Sequence, residues 1–517
     1  MSIKKRLLSN TLLILILFFS LLIRLVGINF GLPQHFHADE PDYIEHVRNF
    51  YLGDFNPHFF EQPSLYSYLV FFFSLFYIKI YASISSAFFY FPDQSFFYLL
   101  GRLFSCFTGL ATIYVFYLIC KRILGTWPSL VATLLFSISS IHIKESHYAT
   151  NNNLLLFFIC LTIYYCISIK ENPKLFFYLL SGLFAGLAMS TKYTGALLIL
   201  VVFISHLMSY NKISLANFFK KGFWMPLLIF VFVFFVTFFL TSPYVFFDNQ
   251  GFLHIAKVFN EVRYDPTPIF QGVSNGYNFL KSLLISEFGL LAFLFCVLGI
   301  LVFVIRYFKM SLILLIYPII YFLVIGSWSR LYDRYLLPLI PFVIFFLVVA
   351  LNYFFDNFFL KKRNLASLFL IVILTTLLFI PSLENSYSSE KRFILKDTRS
   401  VALNWINENI ASGAVFLREQ YTPEVELLVD KNFTVLNKKY ELYESLNEQY
   451  FLDNSIDYVI ISSYLYERYY NNAEFFEEQV HSYNSLVNLT APLIRFNPTE
   501  KSTGPIITIY YTRKGIH

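Results

Sequence analysis

The chain reads as a polytopic α-helical membrane protein that ends in a soluble α/β domain. Two observations carry that reading: only 14% of its 517 residues are charged while 57% are hydrophobic, against about 25% charged in soluble globular chains, and mean hydropathy is +0.59. A third is a change of pattern. Apolar runs of spanning length recur as far as Pro381, and beyond it the sequence turns to amphipathic helix and short strands.

The first span, 11–28, follows "MSIKKRLLSN", whose Lys4, Lys5 and Arg6 hold the N-terminus on the cytoplasmic side. A signal peptide is the rival reading, but no A-x-A-like cleavage site follows the run. Topology then turns on "SLYSYLVFFFSLFYIKIYASISSAFFYF", Ser64 to Phe91. If it crossed the membrane, the basic groups Lys121/Arg122, Lys170/Lys174, Lys212/Lys220/Lys221, Arg306/Lys309 and Lys361/Lys362/Arg363 would all face outward, against the positive-inside rule. Its internal Lys79 and scattered Ser and Tyr fit an interfacial or re-entrant segment in the first outer loop.

With that segment set aside, spans are expected at 96–119, 127–142, 152–169, 175–190, 194–210, 223–242, 282–305, 310–328, 335–355 and 365–381, about eleven in all with the first. Residues 1–381 form the membrane domain. Residues 382–517 form an extracytoplasmic α/β domain, in which "DTRSVALNWINENIASGAVFLREQ" is a helix then a strand, "IDYVIISSYLYERYY" a buried strand into a helix, and "PIITIYYTR" a final strand.

This topology gathers the informative polar residues on the outer face. They are Asp39, Glu40 and Glu61 in the first loop, "KESHYATNN" around His147, Lys192 between two spans, Asp248 in "SPYVFFDNQ", and Arg330, Asp333 and Arg334 in "SWSRLYDRY". Carboxylates and cations at one membrane surface suit an interfacial enzyme. A transporter or flippase of lipid-linked sugars, the alternative, keeps ionisable groups near the midplane. A non-catalytic scaffold or sensor would tolerate loss of Asp39. The five cysteines lie in apolar runs without C-x-x-C spacing, so neither disulfides nor a thiolate metal site is indicated. A net charge of +6 reflects cytoplasmic loops and does not argue for nucleic acid.

In order along the chain stand an Asp-Glu pair after the first span, "FEQPSLYSYL", "GRLFSCFTGLATIYVFYL", "SHYATNN", "GLFAGLAMSTKYTGALL", "SPYVFFD" and "RLYDRYLLPLIP". Together they resemble the GT-C-type glycosyltransferases of the protein O-mannosyltransferase and aminoarabinose transferase superfamily, glycosyltransferase family 39 in the broad sense, over roughly residues 10–381. The resemblance implies a polyprenyl-phosphate-linked sugar donor, a protein, lipid or polymer acceptor outside the cytoplasm, the bacterial plasma membrane as location, and no nucleotide-sugar site.

Moving a glycosyl unit from a lipid phosphate to a hydroxyl requires a base for the acceptor proton and cations for the departing phosphate. Asp39 matches the family's Asp-Glu motif and is the expected base. Glu40 orients it, binds the acceptor, or caps a helix starting at Pro41; the bland reading of the whole stretch is an acidic first helical turn. Glu61 matches a Glu-Lys-Pro pattern of the aminoarabinose transferases, but Gln62 stands where they have the lysine. Phosphate binding then falls to Arg334, Arg330, Arg102 and Lys192, each of which could instead be an interfacial anchor. His147 and Asp248 are expected to line the site or meet the acceptor. No metal site is expected: the spacing of His35, His37, His46, His58 and His147 fixes no coordination geometry, Asn152 stands where relatives often carry Asp, and no cofactor is indicated.

Overall fold

In a computed structural model, the described residues are 3–84, 94–210, 218–248, 250–251, 253, 276–328, 331–359 and 365–512. They fall into two units, one drawn from Met1–Ile28, Asp42–Asp265 and Val273–Ser389, the other from Asn29–Pro41 and Glu390–His517. The α-helices longer than six residues that build the first are α1 (Ile3–Leu25), α2 (Glu40–Tyr51), α3 (Leu65–Ile84), α4 (Gln94–Leu124), α5 (Thr126–Ser137), α6 (Ser140–Ser146), α7 (Asn152–Glu171), α8 (Leu175–Thr191), α9 (Leu198–Ser209), α10 (Lys221–Thr241), α11 (Gly276–Arg306), α12 (Phe308–Gly326), α13 (Ile340–Phe354) and α14 (Leu365–Ile394). Among the described residues seven helices are long and apolar enough to cross a membrane, or eight if α5 and α6 make one broken span.

The packing follows from the sequence. Gly182 and Gly186 sit one turn apart on α8, and a Cβ at either would fall 2.8 Å from Phe230 O or 2.7 Å from Phe234 O of α10. Backbones approach that closely in lipid only where side chains are small, because dispersion between fitted surfaces drives association there. At the basic ends, Arg122 reaches across from α4 to α7, its Nε donating to Glu171 Oε2 at 3.0 Å and its NH1 to Ser168 Oγ at 2.7 Å. The C-terminal ends of α4 and α7 are therefore neighbours, so α5 and α6 together carry the chain back between them.

α2 and α3 pack through aromatic rings, with Phe50 on Tyr68 at 4.8 Å and Tyr43 on Tyr66 at 5.2 Å. Of the stretch expected not to span, Leu65–Ile80 forms a shorter apolar helix, and 85–91 lie outside the described residues. So do Lys212 and Lys361, Lys362 and Arg363.

Among the expected spans, 127–142 and 365–381 differ from the helices in extent. The run over 127–142 is not one helix; it breaks between Ser137 and Ser140, and α5 and α6 meet at 60°. The run over 365–381 does not stop at Pro381, since α14 continues to Ile394. A proline interior to a helix forfeits one backbone bond, and here its ring lies against Gly289, whose Cβ position is 3.0 Å from Pro381 Cγ. Gly289 has φ 83° and kinks α11, a conformation that L side chains rarely adopt.

In the second unit a five-stranded sheet has the order β3-β2-β4-β7-β5, from β2 (Val415–Arg418), β3 (Thr434–Asn437), β4 (Tyr458–Ser462), β5 (Pro492–Phe496) and β7 (Ile507–Tyr511); β1 (Lys396–Asp397) pairs separately with β6 (Ser502–Thr503). β2 runs parallel to β3 and β4, and β7 antiparallel to β4 and β5. Strand alternation divides the core. Leu417, Val459, Ile461 and Tyr510 face Tyr469 of α16 (Ser463–Tyr470) and Tyr483 and Leu486 of α17 (Glu477–Leu489), while Phe416, Ile460 and Ile509 face Ala402 and Ile406 of α15 (Thr398–Asn409).

Just past β2, Glu419 is fully buried; Ser462 N–H donates to its Oε1 at 2.6 Å, and its Oε2 bonds the Tyr483 hydroxyl at 2.5 Å. Burial pushes its carboxyl up to about 8, against these hydrogen bonds, which pull it down. The folded unit then holds a proton that the unfolded chain releases above its ordinary range, so stability falls as pH rises toward 8. Glu419→Gln mimics the protonated form. It is expected to remove up to about 4 kcal/mol of pH-dependent loss between pH 5 and 8, read from thermal melts of the purified protein with protease susceptibility of this unit as the probe; an unchanged pH slope refutes the assignment.

Candidate active site

In the first unit three interruptions between helices meet. The first is the end of α6, which carries Lys144 and Glu145, with the "SHYATNN" turn into α7. The second is Lys192, between α8 and the 3₁₀ turn Tyr193–Leu197. The third is the 3₁₀ turn Asp333–Leu339 ahead of α13. Each is joined to the next by polar contacts. Lys144 is paired with Asp333. Asn152 Nδ2 donates to Glu145 Oε2 at 2.8 Å, and Lys192 Nζ donates to Asn152 Oδ1 at 3.4 Å. Asn151 Nδ2 adds a bond of 2.7 Å to Thr191 O.

Tyr335 joins the cations. Lys192 Nζ stands 4.8 Å from the centre of its ring and the Arg334 guanidinium 5.8 Å, with Arg334 also 4.1 Å from the Tyr332 ring. Tyr321 hydroxyl donates to Tyr335 O at 3.1 Å. Aromatic faces attract cations without neutralising them. The cluster therefore gathers two cations, Lys192 and Arg334, and a guanidinium has the shape to match phosphate oxygens two at a time.

The break that brings Lys144 and Glu145 here is held by Glu287 of α11. Its Oε1 accepts from Ser139 Oγ at 2.9 Å and Ser140 N at 2.8 Å, its Oε2 accepts from Ser140 Oγ, and Ile141 N lies 3.4 Å from Oε1. The carboxylate thus satisfies amide groups that the start of α6 cannot pair internally. Asn385 Nδ2 of α14 donates to Ser286 O at 2.7 Å and Ser386 Oγ donates to Ile138 O. On the other side Arg24 of α1 donates to Ser137 O at 3.1 Å and Ser146 Oγ at 3.2 Å and meets His142 Nδ1 at 2.6 Å.

The other sequence-selected residues of this unit lie as follows. Arg102 is fully buried and its NH1 donates to Ile28 O at 3.2 Å. His147 has both ring nitrogens on main-chain oxygens, Nδ1 at 3.0 Å from Ile143 O and Nε2 at 2.9 Å from Val26 O, so it ties α1 to α6. Asp248 Oδ2 accepts from Asn56 Nδ2 at 2.8 Å and its Oδ1 from Gln250 N at 2.8 Å; these bonds and the nearby His58 hold its carboxyl below the usual range. Glu61 is exposed. His46 on α2 is kept neutral by burial and by His58, with its pKa pushed down to about 4. Arg330 lies outside the described residues. Among the described residues no group of three or more His, Cys, Asp or Glu side chains is placed to hold a metal ion.

Asp39 and Glu40 belong to the second unit. Asp39 is half-buried and its N–H donates to His37 Nδ1 at 3.3 Å; Glu40, buried, opens α2, and its N–H donates to His37 O at 3.3 Å. The segment before them lies on the C-terminal domain. Glu424 accepts the His35 N–H at 2.9 Å through Oε1 and meets His35 Nδ1 at 3.0 Å through Oε2. Gln34 accepts the Glu424 N–H at 3.2 Å and donates to Ser400 Oγ at 3.2 Å. Burial raises the Glu424 carboxyl, but the His35 bonds outweigh it and hold the group below its ordinary range.

Sequence reasoning missed Glu145, Glu287 and Tyr335 as site-building residues. Lys144 and Glu145 open the quoted "KESHYATNN" but were given no role there, and a charged pair in so apolar a neighbourhood was the available signal. Glu287 sits alone in an apolar run with no local cue.

Residues 94–240 match the family model described as dolichyl-phosphate-mannose-protein mannosyltransferase. Among solved structures the chain is similar to the archaeal oligosaccharyltransferase AglB from Archaeoglobus fulgidus, in complex with an inhibitory peptide and a dolichol-phosphate, at 12% identity and a TM-score of 0.60 over 98% of this chain and 74% of that one. It is also similar to ArnT from Cupriavidus metallidurans bound to undecaprenyl phosphate, at 14% identity and a TM-score of 0.54 over 96% of this chain and 97% of that one. No curated protein matches it by sequence. The class is thereby defined: this is an integral membrane protein with the fold of the GT-C-type glycosyltransferases. Within that class its resemblance to the protein O-mannosyltransferase and aminoarabinose transferase superfamily, read from the ordered motifs, holds.

Glu287→Ala would leave two hydroxyls and at least one amide at the start of α6 without their acceptor, each costing about 1–3 kcal/mol when buried. The expected result is a loss of at least about 3 kcal/mol in thermal stability, with Glu287→Gln less affected because its carbonyl still accepts. Equal melting temperatures for Glu287→Ala and the parent protein would show that the break is held by other contacts.

Proposed function

We propose that the protein is a glycosyltransferase that moves a sugar, a hexose or a related unit, from a polyprenyl-phosphate donor to a hydroxyl of a protein, lipid or polymer acceptor outside the cytoplasm. The observation that carries this reading is the grouping of Lys192 and Arg334 about Tyr335 at the meeting of three helix interruptions. In the proposed reaction the Asp39 carboxylate takes the acceptor's hydroxyl proton as that oxygen bonds the anomeric carbon. The bond from that carbon to the phosphate oxygen breaks, and polyprenyl phosphate leaves with the electron pair. Arg334 and Lys192, with Arg102 and Arg330 in support, offset the charge that develops on the phosphate. Glu40 orients Asp39, and Glu61, His147 and Asp248 serve the acceptor side. The ligands of the similar structures, dolichol-phosphate and undecaprenyl phosphate, support a lipid phosphate as donor carrier.

Asp39→Asn keeps the shape of the side chain and removes its proton acceptor. A positioned base contributes about 10²- to 10⁴-fold, so transfer from a panel of polyprenyl-phosphate sugars, read as released polyprenyl phosphate, is expected to fall by that order with donor binding retained. Arg334→Ala and Lys192→Ala are expected to do the reverse and weaken photo-crosslinking to a polyprenyl-phosphate probe. Turnover by Asp39→Asn within a few-fold of the parent at saturating donor removes Asp39 from the role of base and sends the search to Glu61.

The proposal also places the C-terminal domain outside a bacterial plasma membrane. The described cysteines are all buried, which lowers labelling background. A cysteine at the exposed Ser388 should react with an impermeant maleimide added to intact cells, and one at the exposed Lys121 should react only after permeabilisation. The opposite pattern inverts the topology.

A further inference from the structure

We infer that the C-terminal unit is the scaffold that positions the Asp39 loop, with Glu424, Arg399 and His35 as positioning residues; this rests on the proposed role of Asp39. In the sheet, β3 lies on one side of β2 and β4 on the other, so the chain reverses its direction of winding above the carboxyl ends of β2 and β4. Open α/β sheets receive ligands in the crevice at such a reversal. Here the segments leaving that edge carry Glu424, six residues beyond β2, and Tyr464, two beyond β4. Glu424 meets the chain's own Gln34 and His35, and Tyr464 faces Arg399, which covers Phe36.

The attachment seizes backbone as well as side chains. Glu424 accepts from His35 N and also meets the His35 ring. Arg399 is oriented by two bonds to Asp397, both of 2.8 Å, lies 3.7 Å over the Phe36 ring and 6.0 Å from the Tyr464 ring, and its NH1 donates to Phe36 O at 3.3 Å. A main-chain donor and a main-chain acceptor on successive residues are thus both fixed. Only His37 and Ala38 separate them from Asp39, and His37 is itself bonded to the amides of Asp39 and Glu40. That leaves little slack between the domain and the carboxylate. Nothing of this kind is needed to stabilise the sheet, whose core is closed by its own helices.

The test uses the full-length protein in nanodiscs, comparing the parent with Glu424→Ala, His35→Ala and Glu424→Gln. Misplacing a reacting group by about an ångström costs up to about 10²-fold, so Glu424→Ala and His35→Ala are expected to lower kcat by about tenfold to a hundredfold with the donor KM little changed. Chymotrypsin should cut after Phe36 in both variants and spare the parent. Glu424→Gln, which keeps a carbonyl for the His35 N–H, should retain most activity and protection. If Glu424→Ala does not fold, His35→Ala carries the comparison. Parent-like protection in the variants overturns the docking, and parent-like kcat despite cleavage overturns the positioning. If the parent protein transfers no sugar from any donor of the panel, the Asp39 reading fails and takes the catalytic half of this inference with it, while the protease pattern still decides whether the C-terminal unit holds the loop.

Discussion

Much of the membrane unit's polar cluster depends on one buried contact, the Glu287 carboxylate against the start of α6. A helix broken within a bundle leaves amides and carbonyls that lipid cannot satisfy, so such a break persists only where protein groups replace the missing bonds. Glu287 supplies the acceptor and Arg24 supplies donors on the opposite side, to Ser137 O among others. With both ends satisfied the chain can turn by 60° and present Lys144 and Glu145 beside Asp333 and Asn152. An unbroken helix over the same residues would have continued its axis and carried those side chains elsewhere.

The same logic runs through the other interruptions. Lys192 ends α8 and Arg334 stands in a 3₁₀ turn, and each meets the Tyr335 ring. Helix interiors supply spacing and close approach, as Gly182 and Gly186 do for α8 on α10. The two cations about Tyr335 sit where regular α-helix stops, because there backbone geometry and solvation are freer to vary.

How much of this the sequence disclosed depended on the kind of signal. Apolar runs and basic ends announced the helices, since lipid and the positive-inside rule act on composition alone. The strands "AVFLRE", "YVIIS" and "IITIYY" were legible from β-branched and aromatic enrichment, and they became β2, β4 and β7. The break in 127–142 was not legible. Its cause, Glu287, lies far away in the chain, and "SISSIHIKES" shows no proline or glycine to mark an interruption. Pro381, by contrast, looked like a stop and was not one, because Gly289 on a facing helix makes room for its ring. Of the polar cluster, Lys192 and Arg334 stood out as cations among apolar residues. Tyr335 did not, in a chain where 21% of residues are aromatic. The His35–Glu424 contact joins positions almost four hundred residues apart and has no local trace at all.

That separation has a bearing on biogenesis. The segment Asn29–Pro41 emerges early in synthesis, yet its place on the sheet does not exist until β2, β4 and β7 have been made at the far end of the chain. Contacts so distant in sequence close last and slowly. A nascent chain would therefore sit in the bilayer with its acidic loop undocked until the sheet that receives it has been made.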